Sequence, residues 1–489
     1  MRISVDQFFL DRQSGIGLQA QLREKIAEAI LSRRFTPGQR LPSSRKLADH
    51  LGIARITASL VYQDLVADGY LIAAPRSGYF VAPDAPGLMA SGKDIPAGKD
   101  ETVNWDDWIK TRVGTMRLMH KPRDWRAYPY PFIYGELDSD LFPHDVWRDC
   151  ARRAWGKREF DQVAGDFRTF DDGRLTDYIC SHSLPSRGIV VGPEQVLVTM
   201  GAQNGLWLAV QLLAAARPGL KVVIEDPGYP DLREALKMAG CQVIPVPVDD
   251  QGLPPELIPE DVDLVCVSPS HHAPTGVTLP MARRRKLLKL AEERDFLILE
   301  DDYDFEMSFL RPTKPALMSD DRSGRVIHVG SFSKSLFPGL RLGYLAASPR
   351  FIEEARCLRR LVIRHPPGST QRTTAHFLAL GHYNAHVQRL RQAFSKRRGV
   401  MVEALGKAHI NSLGASEFGG AAFWVEGPKD LDATQLAIDL KDEGVLIEPG
   451  DVFFASPDGP RNYFRMAYSS IPSERIAEGV ARVARHLRG

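Results

Sequence analysis

Apolar residues recur every four positions at Leu18, Leu22, Ile26 and Ile30, the spacing that lines one face of an α-helix, and the pattern stops before Pro37-Gly38. A later run, Ala58, Val61, Tyr62 and Leu65, keeps the spacing i, i+3, i+4, i+7 from about Arg55 and ends at Gly69. Between the two, Leu47 and Leu51 give a short apolar face before Gly52. Ser43 is its natural N-cap, because a hydroxyl there accepts from a free amide of the first turn. The outer face of the later helix carries Arg55, Thr57, Ser59 and Gln63. Two short helices joined by a glycine turn, the second polar on its outside, are what reading a major groove requires. Tyr70 to Ala73 and Tyr79 to Val81 then pair as a ribbon around APRSG, with Arg76 at its tip.

From residue 81 to 101 the periodicity disappears into a stretch rich in Pro, Gly, Ala and charge. It reads as a linker that continues to about Arg126 around a short helix at 105–109. Beyond it the pattern changes to short β-rich runs, VLVT (196–199), VVIE (222–225), LVCVS (264–268), FLILE (296–300) and VIHVG (326–330), most of them followed by a helical stretch. That alternation predicts an α/β fold, a mostly parallel sheet covered by helices. From about Gly381 a long charged helix and strands near Phe423 to Val425, Val445 to Glu448 and Tyr463 to Ala467 predict a smaller α+β lobe. The expected division is 1–82, a linker over 83–125, and 126–489.

Composition narrows the setting. Of 489 residues 44% are hydrophobic and 25% charged, ordinary values for a globular protein, and no apolar run reaches membrane-spanning length. The N-terminus lacks the basic and apolar blocks of a secretory signal, so a cytoplasmic location is expected. Five cysteines, widely spaced and odd in number, predict neither disulfides nor a metal site. The formal charge of +2 is uneven. Residues 1–82 hold 11 Lys and Arg against 7 Asp and Glu, so the excess sits on the segment with the helix-turn-helix pattern.

The candidate chemistry lies in the α/β part. VGSFSKSLFPGLRLGYL (329–345) places Lys334 just after an apolar strand, between Ser331 and Ser333 on one side and Arg341 on the other. A Schiff-base lysine beside hydroxyls and a guanidinium fork is an arrangement for an aldehyde that also carries a phosphate. Asp301 ends the strand FLILE, where a carboxylate can keep a pyridine nitrogen protonated, and Tyr303 two residues on can meet a ring hydroxyl. In VTMGAQNGL a glycine turn opens a helix, and the amides of Ala202 and Gln203 are free to hold a phosphate. Tyr229 in EDPGYP offers an aromatic plate, and Arg465 a cation for an acidic ligand group.

Residues 41–81, with LPSSRKLADHLG, resemble the GntR class of winged helix-turn-helix regulators, except that Ala54 stands where that class has a capping serine. The resemblance assigns DNA contacts to Ser43, Arg45, Arg55, Thr57 and Arg76. Residues 125–489 resemble fold type I pyridoxal-phosphate enzymes of the aspartate aminotransferase group. With LFPHDVWR, GHYNAHVQRLRQAF and SLFPGLRLGY the whole chain resembles the MocR subfamily of regulators, and WDDWIK resembles its taurine-type members.

That resemblance implies pyridoxal 5′-phosphate as cofactor, with Lys334 carrying the internal aldimine, Asp301 on the pyridine nitrogen, Tyr303 on O3′, Tyr229 stacked on the ring, and Ser331, Ser333 and Arg341 on the phosphate. It also implies a homodimer on double-stranded promoter DNA, responding to a small amino compound. γ-Aminobutyrate, taurine, ectoine derivatives and pyridoxal phosphate itself all remain open as effectors. A working aminotransferase with a DNA-binding appendage is the alternative. SPSHHAPTG (268–276) has Ala273 where aminotransferases have the asparagine that bonds O3′, leaving His271 or His272 as a substitute or as structural histidines.

Overall fold

The computed structural model describes residues 2–86, 103–110, 113–166, 170–413 and 418–488. It divides into two compact units, Met1–Arg112 and Val113–Gly489.

The first unit is built from α1 (Leu18–Leu31), α2 (Ser44–Leu51), α3 (Arg55–Ala67) and a hairpin of β1 (Leu71–Ala74) and β2 (Gly78–Val81). The periodic side chains do what their spacing predicts: Leu22, Ile26, Leu47, Val61, Tyr62 and Leu65 are buried together. Ser43 caps α2 by accepting from the Lys46 amide at 3.3 Å, and Gly52 ends that helix in the left-handed conformation. Ala54 gives α3 no side-chain cap, a loss of about 1 kcal/mol against serine. Ala58, Val61, Tyr62 and Leu65, each with no exposure, offset it, since a buried valine or leucine is worth about 1.5–3 kcal/mol. The Tyr62 hydroxyl donates to the Pro42 carbonyl at 2.8 Å and so ties α3 to the chain entering α2.

The second unit is organised by a seven-stranded sheet. Its strands are β3 (Val196–Thr199), β4 (Lys221–Asp226), β5 (Gln242–Pro247), β6 (Leu264–Val267), β7 (Leu297–Asp302), β8 (Val326–Ser331) and β9 (Gly343–Ala346), in the order β3-β9-β8-β7-β6-β4-β5. Only β9 runs against its neighbours; the others share one direction. The buried Val, Ile and Leu of β4, β6, β7 and β8 explain why these segments read as continuous apolar runs, for both faces are covered. β5 and β9 escape the sequence reading: β5 is interrupted by prolines and lies at the edge, and β9 sits inside a motif read for its chemistry. Gly343 in β9 allows a close approach, since a Cβ there would meet the Gly330 carbonyl oxygen at 2.7 Å and the Ala202 amide nitrogen at 3.0 Å.

Shared strand direction brings the carboxyl ends of β3, β4, β7 and β8 to one rim, where open α/β sheets hold their ligands. Helix α4 (Ala202–Ala216) starts there after β3, and α5 (Pro230–Met238) after β4. The C-terminal lobe adds a sheet of β10 (Ser412–Leu413), β11 (Ala422–Glu426), β12 (Glu448–Pro449) and β13 (Tyr463–Ala467), in the order β10-β11-β13-β12. The long helix His382–Lys407 and the final helix Ser473–Leu487 pack with this lobe around one core. Among the described residues no helix is long and apolar enough to cross a membrane.

Residues 113–125, expected in the linker, belong to the second unit. Arg117 donates to the carbonyls of Asp451 and Phe454, and Arg233 Nη2 on α5 donates to the Arg117 carbonyl at 3.3 Å. Part of the expected linker, 87–102 and 111–112, lies outside the described residues; the short helix expected at 105–109 is present as Trp105–Trp108.

Candidate functional site

At the strand rim a cavity of about 240 Å³ is lined by Lys334, Asp301, Tyr303, Ser331, Ser333 and Arg341. Tyr229, Ala202, Gln203 and Arg465, the remaining residues expected from the sequence, line it too.

Asp301 is the next-to-last residue of β7 and only 7% exposed; its Oδ1 has no hydrogen-bond partner. Burial first, and then the neighbouring carboxylates of Asp302 and Asp304, push it up to about 8. A carboxyl in this state lacks a cation. A protonated pyridine nitrogen is such a group, so the residue fits the ring expected here.

Lys334 stands three residues beyond β8. Burial, then the charges of Lys121 and Arg465, push its ammonium down to about 7, so half of it is free amine near neutrality. Its Nζ lies 4.4 Å from the centre of the Tyr134 ring. Gly135, at φ 78°, is the residue that leaves it room: a Cβ there would stand 2.1 Å from Lys334 Nζ.

The phosphate end is equally specific. Ser331 Oγ accepts from the Ser333 amide at 3.1 Å, while Ser333 Oγ is buried without a partner. Arg341 Nη2 donates to the Met200 carbonyl at 3.2 Å, and its guanidinium carbon would be 3.3 Å from a Cβ at Gly201, immediately before α4. Ala202 and Gln203 are the first two residues of that 15-residue helix, where amides have no intrahelical acceptor. Hydroxyl, guanidinium and free amides therefore converge, the chemistry a phosphate dianion needs.

Tyr303 donates its hydroxyl to the His271 carbonyl at 2.9 Å, and Tyr229 precedes α5 as its N-cap residue. Arg465 on β13 is 4% exposed; its Nε donates to Glu448 Oε2 at 2.8 Å and its guanidinium lies 4.4 Å from the Tyr134 ring centre. Its charge is thus partly neutralised by an internal partner.

Both histidines turn one ring nitrogen to a neighbouring side chain. His271 turns its Nδ1 to Asp304 Oδ1 at 2.9 Å, and Asp304 Oδ2 accepts from the Tyr134 hydroxyl at 2.7 Å. His272 pairs with Thr275 Oγ1 at 2.7 Å, and burial pushes its imidazole down to about 4. Of the segment only Ala273 lines the cavity.

Sequence reasoning missed Met119, Lys121, Tyr134 and Asp231, which also line the cavity. Met119 and Lys121 lie in a stretch read as linker, and nothing in its composition marks it otherwise. Asp231 had a local signal, its place in the first turn after PGYP; it accepts from Gln203 Nε2 at 3.0 Å.

In the first unit the residues expected on DNA lie at three points. Arg45 is exposed on the first turn of α2, Arg55 exposed at the first position of α3 with Thr57 half-buried behind it, and Arg76 exposed at the hairpin tip. Ser43 is exposed, with its hydroxyl engaged as the α2 cap. None of the three arginines has an ion-pair partner among the described residues.

Comparison with known proteins agrees with both halves. The pattern of bacterial regulatory proteins of the gntR family matches residues 18–81, and that of aminotransferases of class I and II matches residues 172–483. The chain is 51% identical over 488 residues to the HTH-type transcriptional regulator TauR of Rhodobacter capsulatus, covering 100% of both. It is 29% identical to the probable rhizopine catabolism regulatory protein MocR of Rhizobium meliloti, over 96% of this chain and 94% of that one. The crystal structure of LysN, the α-aminoadipate aminotransferase of Thermus thermophilus complexed with N-(5′-phosphopyridoxyl)-L-leucine, superposes with a TM-score of 0.70 at 27% identity, over 79% of this chain and 99% of that one. With a gntR-type winged helix-turn-helix and an aminotransferase-like unit in one chain, the protein belongs to the MocR-type family of HTH transcriptional regulators.

Proposed function

We propose that the second unit binds pyridoxal 5′-phosphate and senses a small amino compound through it, and that the first unit carries the response to promoter DNA. The single observation that carries this reading is the buried carboxyl of Asp301, whose Oδ1 has no hydrogen-bond partner, lining the same cavity as the amine of Lys334. When bound, the cofactor supplies an electrophilic carbon that primary amines compete for and a ring that draws electrons from it. Lys334 is the amine that would hold it. Asp301 would keep a proton on the ring nitrogen, Tyr303 would supply a donor to the ring oxygen, and Tyr229 would cover a ring face. Ser331, Ser333, Arg341 and the amides of Ala202 and Gln203 would hold the phosphate, and Arg465 would take an acidic group on the ligand.

Ala273 favours sensing over turnover. At this position the aminotransferase pattern has an amide side chain, and a methyl group can neither donate nor accept. For a ligand to alter DNA binding it must favour one arrangement of the protein, and exchange of one amine for another at the same carbon supplies such a difference. The chain acts as a homodimer on two half-sites in this reading, the usual match of two-fold protein to palindromic or repeated DNA.

The test is spectroscopic. Purified protein should carry a cofactor band that borohydride fixes to the chain, and Lys334→Ala should abolish the fixed adduct. Amino compounds should shift the band and, at matching concentrations, change retention of the gene's own upstream DNA in a band-shift titration. A fixed adduct that survives in Lys334→Ala would overturn the assignment.

A further inference from the structure

The segment that enters the second unit is not a passive tether. Beginning five residues after the unit boundary, Arg117, Met119 and Lys121 are placed on alternate positions, and each meets the site or its rim. Arg117 is fixed to the carbonyls of Asp451 and Phe454 and by its own carbonyl to Arg233. Met119 Sδ lies 3.4 Å from Arg465 Nη2. Lys121 donates to the Tyr134 carbonyl, and its Nζ is 3.7 Å from Glu136 Oε1.

Two features point to a ligand. First, Arg465 spends a guanidinium N–H on a thioether, a weak acceptor, and its one charged partner among the described residues is Glu448, opposite it on the neighbouring strand and not among the residues that line the cavity. A carboxylate or sulfonate in the place of that sulfur would gain a charge-assisted bond. Second, Lys121 adds a cation where one is already buried. A Cβ built at Gly135 would have Lys334 Nζ at 2.1 Å and Lys121 Nζ at 3.8 Å, so the two ammonium groups crowd the same point. Glu136 stands beyond hydrogen-bond distance, and the Lys121 side chain is 28% exposed, so it has both spare donors and an open approach.

Resting on the amine-sensing reading above, we propose that Lys121 is a recognition residue for the acidic end of the effector, sharing it with Arg465 after Met119 yields its place. The effector is then an amino compound that carries a carboxylate or sulfonate, not a simple amine. Because Lys121 and Met119 lie on the segment arriving from the linker, occupancy of the cavity acts directly on that segment.

The experiment titrates cofactor-loaded full-length protein with β-alanine, taurine and γ-aminobutyrate, and with n-propylamine as the amine without an acid, following the cofactor absorption band. Variants are Lys121→Met, which keeps the aliphatic stem, Lys121→Arg, which keeps the charge, and Met119→Ala. The expected result is a midpoint raised by about tenfold or more for the acidic amines in Lys121→Met, with no rise in the n-propylamine midpoint, and recovery in Lys121→Arg. Met119→Ala should lower the midpoint for the acidic amines. Equal midpoints in wild type and Lys121→Met, or an equal rise for n-propylamine, would overturn the assignment of Lys121 while leaving the sensing reading intact. Wild-type protein whose band answers none of the four amines would overturn both.

Discussion

Arg187 and Asp302 form an ion pair whose side chains have no exposure: Nε stands 2.6 Å from Oδ2 and Nη2 3.3 Å from Oδ1. The other guanidinium donors are spent on the Lys314 carbonyl at 2.7 Å and Ser270 Oγ at 2.8 Å. Burial alone would push the Asp302 carboxyl up; Arg187 and His328 outweigh it and hold it below its usual range. The pair thus keeps one charge in place directly beside Asp301, whose own carboxyl is pushed the other way.

Removing one partner of such a pair leaves a buried charge without compensation, at a cost of about 3–5 kcal/mol. Arg187→Met is therefore expected to lower the stability of the second unit by that amount in denaturant titrations followed by tryptophan fluorescence. A loss below about 1 kcal/mol would show that Asp302 simply takes up a proton at little cost.

The Lys334 amine gives a pH signature. Its protonated form is disfavoured by burial and by Lys121 and Arg465, so the neutral, nucleophilic form is half populated at about pH 7, where an ordinary lysine is almost wholly charged. Capture of pyridoxal phosphate by cofactor-free protein should speed up by about tenfold per pH unit below that value and level off above it. Stopped-flow absorbance between pH 5.5 and 9.5 would read the inflection. Lys121→Met removes a repelling charge and should move it upward. An inflection above pH 9 in the wild type would contradict the burial of the amine.

Asp301→Asn removes the carboxylate that would keep the pyridine nitrogen protonated but leaves the shape of the cavity. Folding should be conserved or improved, since a carboxyl pushed up to about 8 by burial and like charges is replaced by a neutral amide. The cofactor should still be held, through Lys334 and the phosphate groups, while the change of its absorption on adding an amino compound becomes much slower. Equal rates in wild type and variant would remove Asp301 from the role.

The strand-by-strand legibility of the sheet followed from burial on both faces, which writes continuous apolar runs such as Leu297–Asp302 into the chain. That Lys334, Ser331 and Arg341 would line one cavity was legible for a related reason. Ser331 ends β8, Lys334 follows it by three residues and Arg341 stands two residues before β9, so the short link between two paired strands fixes their mutual placement. Lys121 and Met119 were not legible, because their part in the cavity depends on a fold-back of a polar segment across the rim, and the groups that fix it, Asp451, Phe454 and Arg233, lie far off in sequence. His271 was ambiguous for the same cause: its partner Asp304 comes from the next strand end, and only that tertiary contact shows what its Nδ1 meets.

The last expectation concerns the DNA-binding unit, where stability and function should move in opposite directions at one residue. Arg76, at the tip of the β1–β2 hairpin, has φ 63°, a left-handed conformation that costs a side-chain-bearing residue about 1–2 kcal/mol and glycine almost nothing. Arg76→Gly should therefore leave the unit as stable or more so in thermal melts, yet weaken retention of the gene's upstream DNA. If Arg76 meets phosphate, the loss should be similar on specific and random duplexes, and the slope of log affinity against log salt should fall by about one. Arg55 is exposed at the first position of α3, the expected start of the groove-reading helix. Its replacement by alanine should cost specific binding about 1–3 kcal/mol and spare the random duplex, with the cofactor band unchanged. Band-shift titrations at two salt concentrations separate the two patterns. Undiminished, sequence-specific binding by a variant lacking Arg45, Arg55 and Arg76 together would mean that DNA is read elsewhere on the chain.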